Sequence, residues 1–182
     1  LTLSSTALTV ANGLTLTDGD IALASGHGLN FASTSDAGGM SSELLDDYEE
    51  GTYDVTFTPS SSGSITMRSD YNTGSYIRVG KLVHVGFYAV ISSISSPTGY
   101  ISINLPLAVE QGSEGAYSSA FYVHAGGLTG LNIANVGGSL AVNNTSEVRL
   151  YGIDSTTLQA DSAQALTSSS YMYGAGTYRT SA

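Results

Sequence analysis

Residues 44–59 read LLDDYEEGTYDVTFTP, and two patterns meet inside them. Between Glu43 and Asp54, six carboxylates (Glu43, Asp46, Asp47, Glu49, Glu50, Asp54) fall within twelve residues, out of fifteen in the 182-residue chain. From Tyr53 onward, Tyr53, Val55 and Phe57 alternate with Asp54, Thr56 and Thr58, the period-two signature of a half-buried strand. The acidic part reads otherwise. Ser42 is placed to cap a short helix over residues 41–50, with Leu44 and Leu45 on one face and acids favoured near its start. The spacing lacks the D-x-[DN]-x-[DN]-G order of a calcium loop, and catalytic carboxylates would need one acid desolvated enough to stay protonated. Residues 44–52 are therefore read as a solvated acidic junction, to which no metal and no catalytic role is assigned; a cation site is the alternative.

The composition agrees with a chain of strands and turns. Charged residues make up 11% and apolar residues 41%, while Gly (22) and Tyr (12) are plentiful and Pro (3) is scarce. Low charge with many turn-formers and strand-formers points to an all-β protein. A net charge of −10 with five Lys and Arg argues against nucleic acid and against an electrostatic hold on anionic lipid. No apolar run reaches the ~20 residues that a membrane helix needs, so membrane insertion is not expected. With no Cys, disulfides and thiolate chemistry are excluded together. The chain opens at Leu1 inside a strand-like pattern, with no initiator Met or signal peptide, and reads as a piece of something longer.

Residues 1–43 form the first kind of chain. Apolar residues come in pairs one residue apart: Leu1/Leu3, Leu8/Val10, Leu14/Leu16, Ile21/Leu23 and Leu29/Phe31. Gly, Asn, Ser and Thr between the pairs disfavour a coiled coil and favour short strands joined by tight turns. Strands this short cannot offset chain entropy alone. Burial is reached if equivalent strands from other copies meet about an axis, which predicts an intertwined homotrimeric stalk. A single-chain meander packed on the rest is the plainer alternative.

Residues 53–182 form the second kind. Strand-like runs recur at 53–58, 64–68, 75–79, 82–94, 100–105, 116–124, 131–136, 139–142, 147–153 and 170–179, separated by irregular polar loops. That count predicts a jelly-roll-like antiparallel β-sandwich head.

Motifs that would carry chemistry are sparse. His27, His84 and His124 stand apart with no His-x-x-x-His pair, so zinc is not expected, and alternation turns His84 away from the side of Val83 and Val85. No Ser lies in G-x-S-x-G, and the Gly174-Ala175-Gly176 run opens no helix and supports no phosphate loop. Nothing calls for a cofactor. Tyrosine carries the functional lean, since its apolar face and hydroxyl suit sugar rings. Tyr71 in SDYNTGS and Tyr117 after EQGSEGA adjoin Gly-containing loops and are the receptor-binding candidates; the plainer alternative is packing at the sandwich rim.

Three stretches carry a resemblance: LLDDYEEGTY (44–53), GSYIRVGKLVHVGF (74–87) and GAGTYRTSA (174–182). Together they resemble modules of tail-fibre and other structural proteins of bacterial viruses, which share an LDDYEEGTW-like junction, a GxYxKxGxxVxVxG hairpin and a closing GTYR-like strand. Tyr53 stands where the family usually has Trp. The resemblance implies a virion component of the tail fibre, trimeric, with a thin stalk leading into a sandwich head, and it brings no catalytic residues. The expected function is structural and host-receptor-binding, not enzymatic. Its expected partners are its own copies, other virion tail proteins, and a host cell-surface glycan or outer-membrane component. The alternatives are a tailspike-type enzyme that cleaves surface polysaccharide and a purely structural capsid or tail decoration.

Overall fold

The computed structural model describes residues 15–24, 27–31, 40, 42–112, 118–129, 139–142, 144–154, 157–159 and 162–181. The chain divides into two compact units, Leu1–Asp46 and Asp47–Ala182. In the first, β1 (Leu29–Asn30) pairs antiparallel with β2 (Leu44–Leu45). The pairs Leu1/Leu3 and Leu8/Val10 lie outside the described residues, as does Leu14. Residues 15–24 contain no strand, contrary to the expectation for Ile21/Leu23. A three-residue segment holds an extended ladder only when a neighbour supplies backbone partners, and here Ile21 (60% exposed) and Leu23 (51%) stand in solvent.

The second unit contains β3 (Tyr48–Asp54), β4 (Phe57–Pro59), β5 (Ser62–Met67), β6 (Thr73–Val79), β7 (Leu82–Thr98), β8 (Ile101–Asn104) and β9 (Ser119–Gly126). It continues with β10 (Ser139–Ala141), β11 (Glu147–Leu150), β12 (Gly152–Asp154), β13 (Thr157–Gln159), a 3-10 turn (Ser162–Ala165) and β14 (Tyr171–Arg179). Among the described residues there is no α-helix. The helix expected over 41–50 is replaced by β2 and the start of β3. The acidic run carries Gly51 and Thr52 directly after it, both poor helix formers, and seven residues gain a full ladder against β6, from Tyr48↔Val79 to Asp54↔Thr73.

The strands run β3-β6-β7-β14-β9-β10-β11-β8-β4, with β5 on the far half of β7 and every pairing antiparallel. This is an all-β, sandwich-like fold. Two strands turn the corners. β9 pairs with β10 through residues 119–121 and with β14 through 122–126, while β7 pairs with β14 up to Val90 and with β5 from Ile91. The run expected over 53–58 breaks at Val55 and Thr56, where the chain leaves β6 for β8. Asn104 seals that break: its side-chain oxygen accepts from the Thr56 N–H at 2.7 Å and its amide donates to the Asp54 carbonyl at 2.9 Å.

One core fills the second unit. Val83, Val85, Phe87, Ala89 and Ile91 line the inner face of β7, opposite Ile101 and Ile103 of β8, Val148 and Leu150 of β11, and Phe121 and Val123 of β9. β14 lies between β7 and β9, and its Gly174 and Gly176 sit under the rings of Phe87 and Phe121, where an added Cβ would stand 2.2 and 2.5 Å from ring carbons. The glycine run thus makes room for two core aromatics. Between β6 and β7, Gly80 at φ 55° opens the two-residue turn with Lys81, a conformation that an L side chain rarely adopts.

Candidate functional site

Strand alternation splits the acidic cluster. Tyr48, Glu50, Thr52 and Asp54 face outward on β3, whereas Glu49, Gly51 and Tyr53 are half-buried. Asp47 pairs with Arg78 at 2.7 Å, and Glu50 accepts from the Tyr48 hydroxyl at 3.1 Å. Glu49 accepts from the Tyr76 hydroxyl, which raises that phenol above its ordinary value. Among the described residues no three His, Asp or Glu side chains converge to hold a metal ion.

The outward face of the β3-β6-β7-β14-β9 sheet holds the organised surface. Tyr88 of β7 pairs in register with Tyr173 of β14, which pairs with His124 of β9, and all three point away from the core. The Tyr88 and Tyr173 rings stack with centroids 4.4 Å apart. Tyr171 packs 6.2 Å from Tyr88, its ring lying over Gly126, where a side chain would collide with it. Tyr71 closes the end, edge-on to Tyr88 at 5.8 Å, with the Arg68 guanidinium 4.9 Å above its ring. The result is a shelf of stacked rings, with Tyr173 50% and Tyr71 45% exposed.

Two residues along each strand runs a row of small side chains. Thr52, Ser75, Gly86 and Ala175 follow one another in register across four strands, ending at Tyr122 of β9, which is 72% exposed. Nothing lies within 4 Å of the space above Gly86. On the far side of that row His84 pairs across the strand with Thr177, their side chains 3.1 Å apart. A shallow trough therefore runs between an aromatic wall and a wall offering an imidazole and a hydroxyl. Opposite walls stand four residues apart along β7, roughly 13 Å, wide enough for a sugar ring.

Tyr71, one of the two sequence candidates, belongs to this shelf; Tyr117 lies outside the described residues. Sequence reasoning missed Tyr88, Tyr173, Tyr171 and His124 as a group. The signal was alternation in YMYGAGTYR, which puts Tyr171 and Tyr173 on one face opposite Met172 and Gly174. His84 is exposed, as alternation predicted.

All five cations of the chain are held by acids. Arg68 meets Asp70 at 2.8 Å, Arg78 meets Asp47 at 2.7 Å, and Arg149 meets Glu147 at 2.7 Å. Lys81 and Arg179 both meet Glu110 at 2.8 Å. Hydrogen bonds from Lys81 and Arg179 hold the Glu110 carboxyl below its usual range. Glu147 is also held low: burial opposes ionisation, but donation from Ser102 and Arg149 outweighs it. Elsewhere, an open cleft of about 490 Å³ is lined, among the described residues, by Ile94, Ser96, Pro97, Thr98 and Gln164, none of them ionisable or aromatic.

No protein-family model matches the chain, and no curated protein sequence matches it. Among solved structures, the crystal structure of Dettilon tailspike protein matches with a TM-score of 0.57 and 24% identity, over 72% of this chain and 24% of that one. This chain thus spans about a quarter of that protein's length. At that identity the likeness establishes the fold: an antiparallel, sandwich-like fold shared with part of a tailspike protein.

Proposed function

We propose that the protein is a non-catalytic, host-receptor-binding and structural module of a bacteriophage tail fibre, acting as a homotrimer. The head binds a host cell-surface glycan or outer-membrane component, and other virion tail proteins are its neighbours. The observation that carries this reading is the tyrosine shelf beside an open trough, because stacked rings on a rigid sheet offer apolar area at low entropic cost. The likeness to a tailspike protein supports the virion setting. Self-association is supported by the first unit, where Leu16, Ile21, Leu23, Leu29 and Phe31 are each about half exposed in a single chain. Tyr48, Val79 and Leu82 add an exposed, in-register apolar row on the second unit.

The neighbour's description as a tailspike favours one second reading, a polysaccharide-cleaving spike. Cleavage would need a carboxylic acid kept protonated near neutrality. Glu110, Glu147 and Asp70 are all held below their ordinary values by their cationic and hydroxyl partners, so none of these three is suited to that proton-donating role. Reducing ends released from a polysaccharide that the protein binds would favour the enzyme.

The test is retention of the whole chain on lipopolysaccharides and capsular polysaccharides from a panel of bacteria. We expect capture by at least one, a roughly tenfold loss with Tyr173→Ala, and a smaller loss with Tyr71→Ala, as ring contacts worth about 0.5–1.5 kcal/mol imply. Capture that survives both substitutions unchanged would move the site off the shelf.

A further inference from the structure

We infer that the trough beside the tyrosine shelf takes an uncharged saccharide and rejects acidic ones, with Asp70 as the residue that sets this specificity. The inference rests on the proposed glycan-binding role and adds the class of sugar. A carboxylated sugar stacked on the shelf needs a cation within reach. Arg68 is the cation placed there, its guanidinium over the Tyr71 ring.

Asp70 occupies that guanidinium. Arg68 Nε donates to Asp70 Oδ1 at 3.1 Å and Nη2 donates to Oδ2 at 2.8 Å, a two-pronged grip that fills one edge of the guanidinium and offsets its charge. Both side chains are exposed, so the pair contributes little to stability. Its effect is on selection. Asp70 is two residues away in the chain and competes at a high effective concentration that a free ligand cannot match.

The surroundings act in the same direction. Thr52, at the β3 end of the trough, is flanked along the strand by Glu50 and Asp54, all three facing outward. The other four cations of the chain are each bonded to an acid, Lys81 and Arg179 sharing Glu110. An anion approaching the trough therefore meets two outward carboxylates and a guanidinium already neutralised. An uncharged pyranose meets neither obstacle: the exposed tyrosines offer it apolar contact on one wall, and His84 and Thr177 offer hydrogen-bonding atoms on the other.

The experiment is a titration of the isotopically labelled whole chain, followed by the amide shifts of Gly86 and Tyr173. The ligands are methyl β-D-glucopyranoside, methyl β-D-galactopyranoside and methyl β-D-glucopyranosiduronate, at low and at near-physiological salt. We expect at least one neutral glycoside to bind in the millimolar range, and the uronate to bind about threefold or more weakly at low salt. That gap should narrow as salt screens the carboxylates. Asp70→Asn frees Arg68 and should shift the uronate-to-glycoside affinity ratio about threefold or more toward the uronate. Uronate binding equal to or tighter than that of the neutral sugars in the unsubstituted protein would overturn the inference and leave glycan binding standing. So would an Asp70→Asn ratio that does not move. If neither class shifts the shelf, the glycan-binding role of the shelf itself fails.

Discussion

Replacing Arg78 with alanine should lower the unfolding free energy by about 3 kcal/mol and the melting midpoint by roughly 10 °C. The side chain is 10% exposed and binds three separate parts of the second unit. One terminal nitrogen lies 2.7 Å from Asp47, before β3 begins. Nε donates to the Gly80 carbonyl at 2.8 Å in the β6–β7 turn, and Nη2 donates to the Ser181 carbonyl at 3.4 Å, beyond β14. Removing the guanidinium strands these carbonyls and an unpaired carboxylate. Because Asp47 keeps 34% of its side-chain surface in water, the loss belongs at the lower end of what breaking a buried pair costs. Arg78→Lys keeps the charge but not the planar fork, so it should fall between the two proteins. Thermal denaturation of the three proteins decides it. If Arg78→Ala melts within a degree or two of the unsubstituted chain, the guanidinium is a bystander.

How much of this was legible beforehand depended on whether the signal was local. Alternation located β5, β6, β7, β8, β10 and β14 to within a few residues, because period two survives in any chain that buries one face. It failed where two strands share an unbroken apolar pattern. Residues 53–58 alternate throughout, yet the chain changes sheets at Val55, a choice made by Asn104, about fifty positions away. The short helix expected over 41–50 is a false signal because Ser42 and the following acids mimic a capped first turn, while the competing ladder to β6 is a tertiary fact. The proposed binding surface shows the same limit. Tyr71 was legible as an aromatic beside a loop, but its value comes from Tyr88 and Tyr173, which reach it through pairings between strands remote in the chain. No composition or spacing carries that register. The pairing of all five cations is equally invisible along the chain: Arg68–Asp70 and Arg149–Glu147 are two residues apart, whereas Arg179 reaches Glu110 across 69 positions.

Two tyrosines of the core should respond in opposite directions when their hydroxyls are removed. Tyr178 is 1% exposed, its hydroxyl donates to the Leu107 carbonyl at 3.0 Å, and it accepts from the Leu107 N–H at 3.3 Å. Tyr178→Phe strands both backbone groups and should cost about 1–3 kcal/mol; Tyr178→Ala also empties the space beside Phe121 and should cost about 3–5 kcal/mol. Tyr53 presents the contrary case, since its buried hydroxyl has no partner among the described residues. Tyr53→Phe should be neutral or stabilise by up to about 1 kcal/mol, because a desolvated group is lost and no bond with it. Burial pushes the Tyr53 phenol up to about 12 from an ordinary value of 10.0. A folded-state value above the unfolded one means that the native protein holds this proton more tightly. The associated stability is complete below pH 10.0 and is lost as pH rises toward about 12. The Tyr178 phenol is raised by burial too, so both tyrosines contribute to alkaline unfolding. Denaturant titrations at neutral and alkaline pH read both effects. Tyr53→Phe should flatten the alkaline loss by up to about 1.4 kcal/mol per pH unit. A Tyr53→Phe protein less stable than the parent at neutral pH would mean that the hydroxyl makes a bond after all.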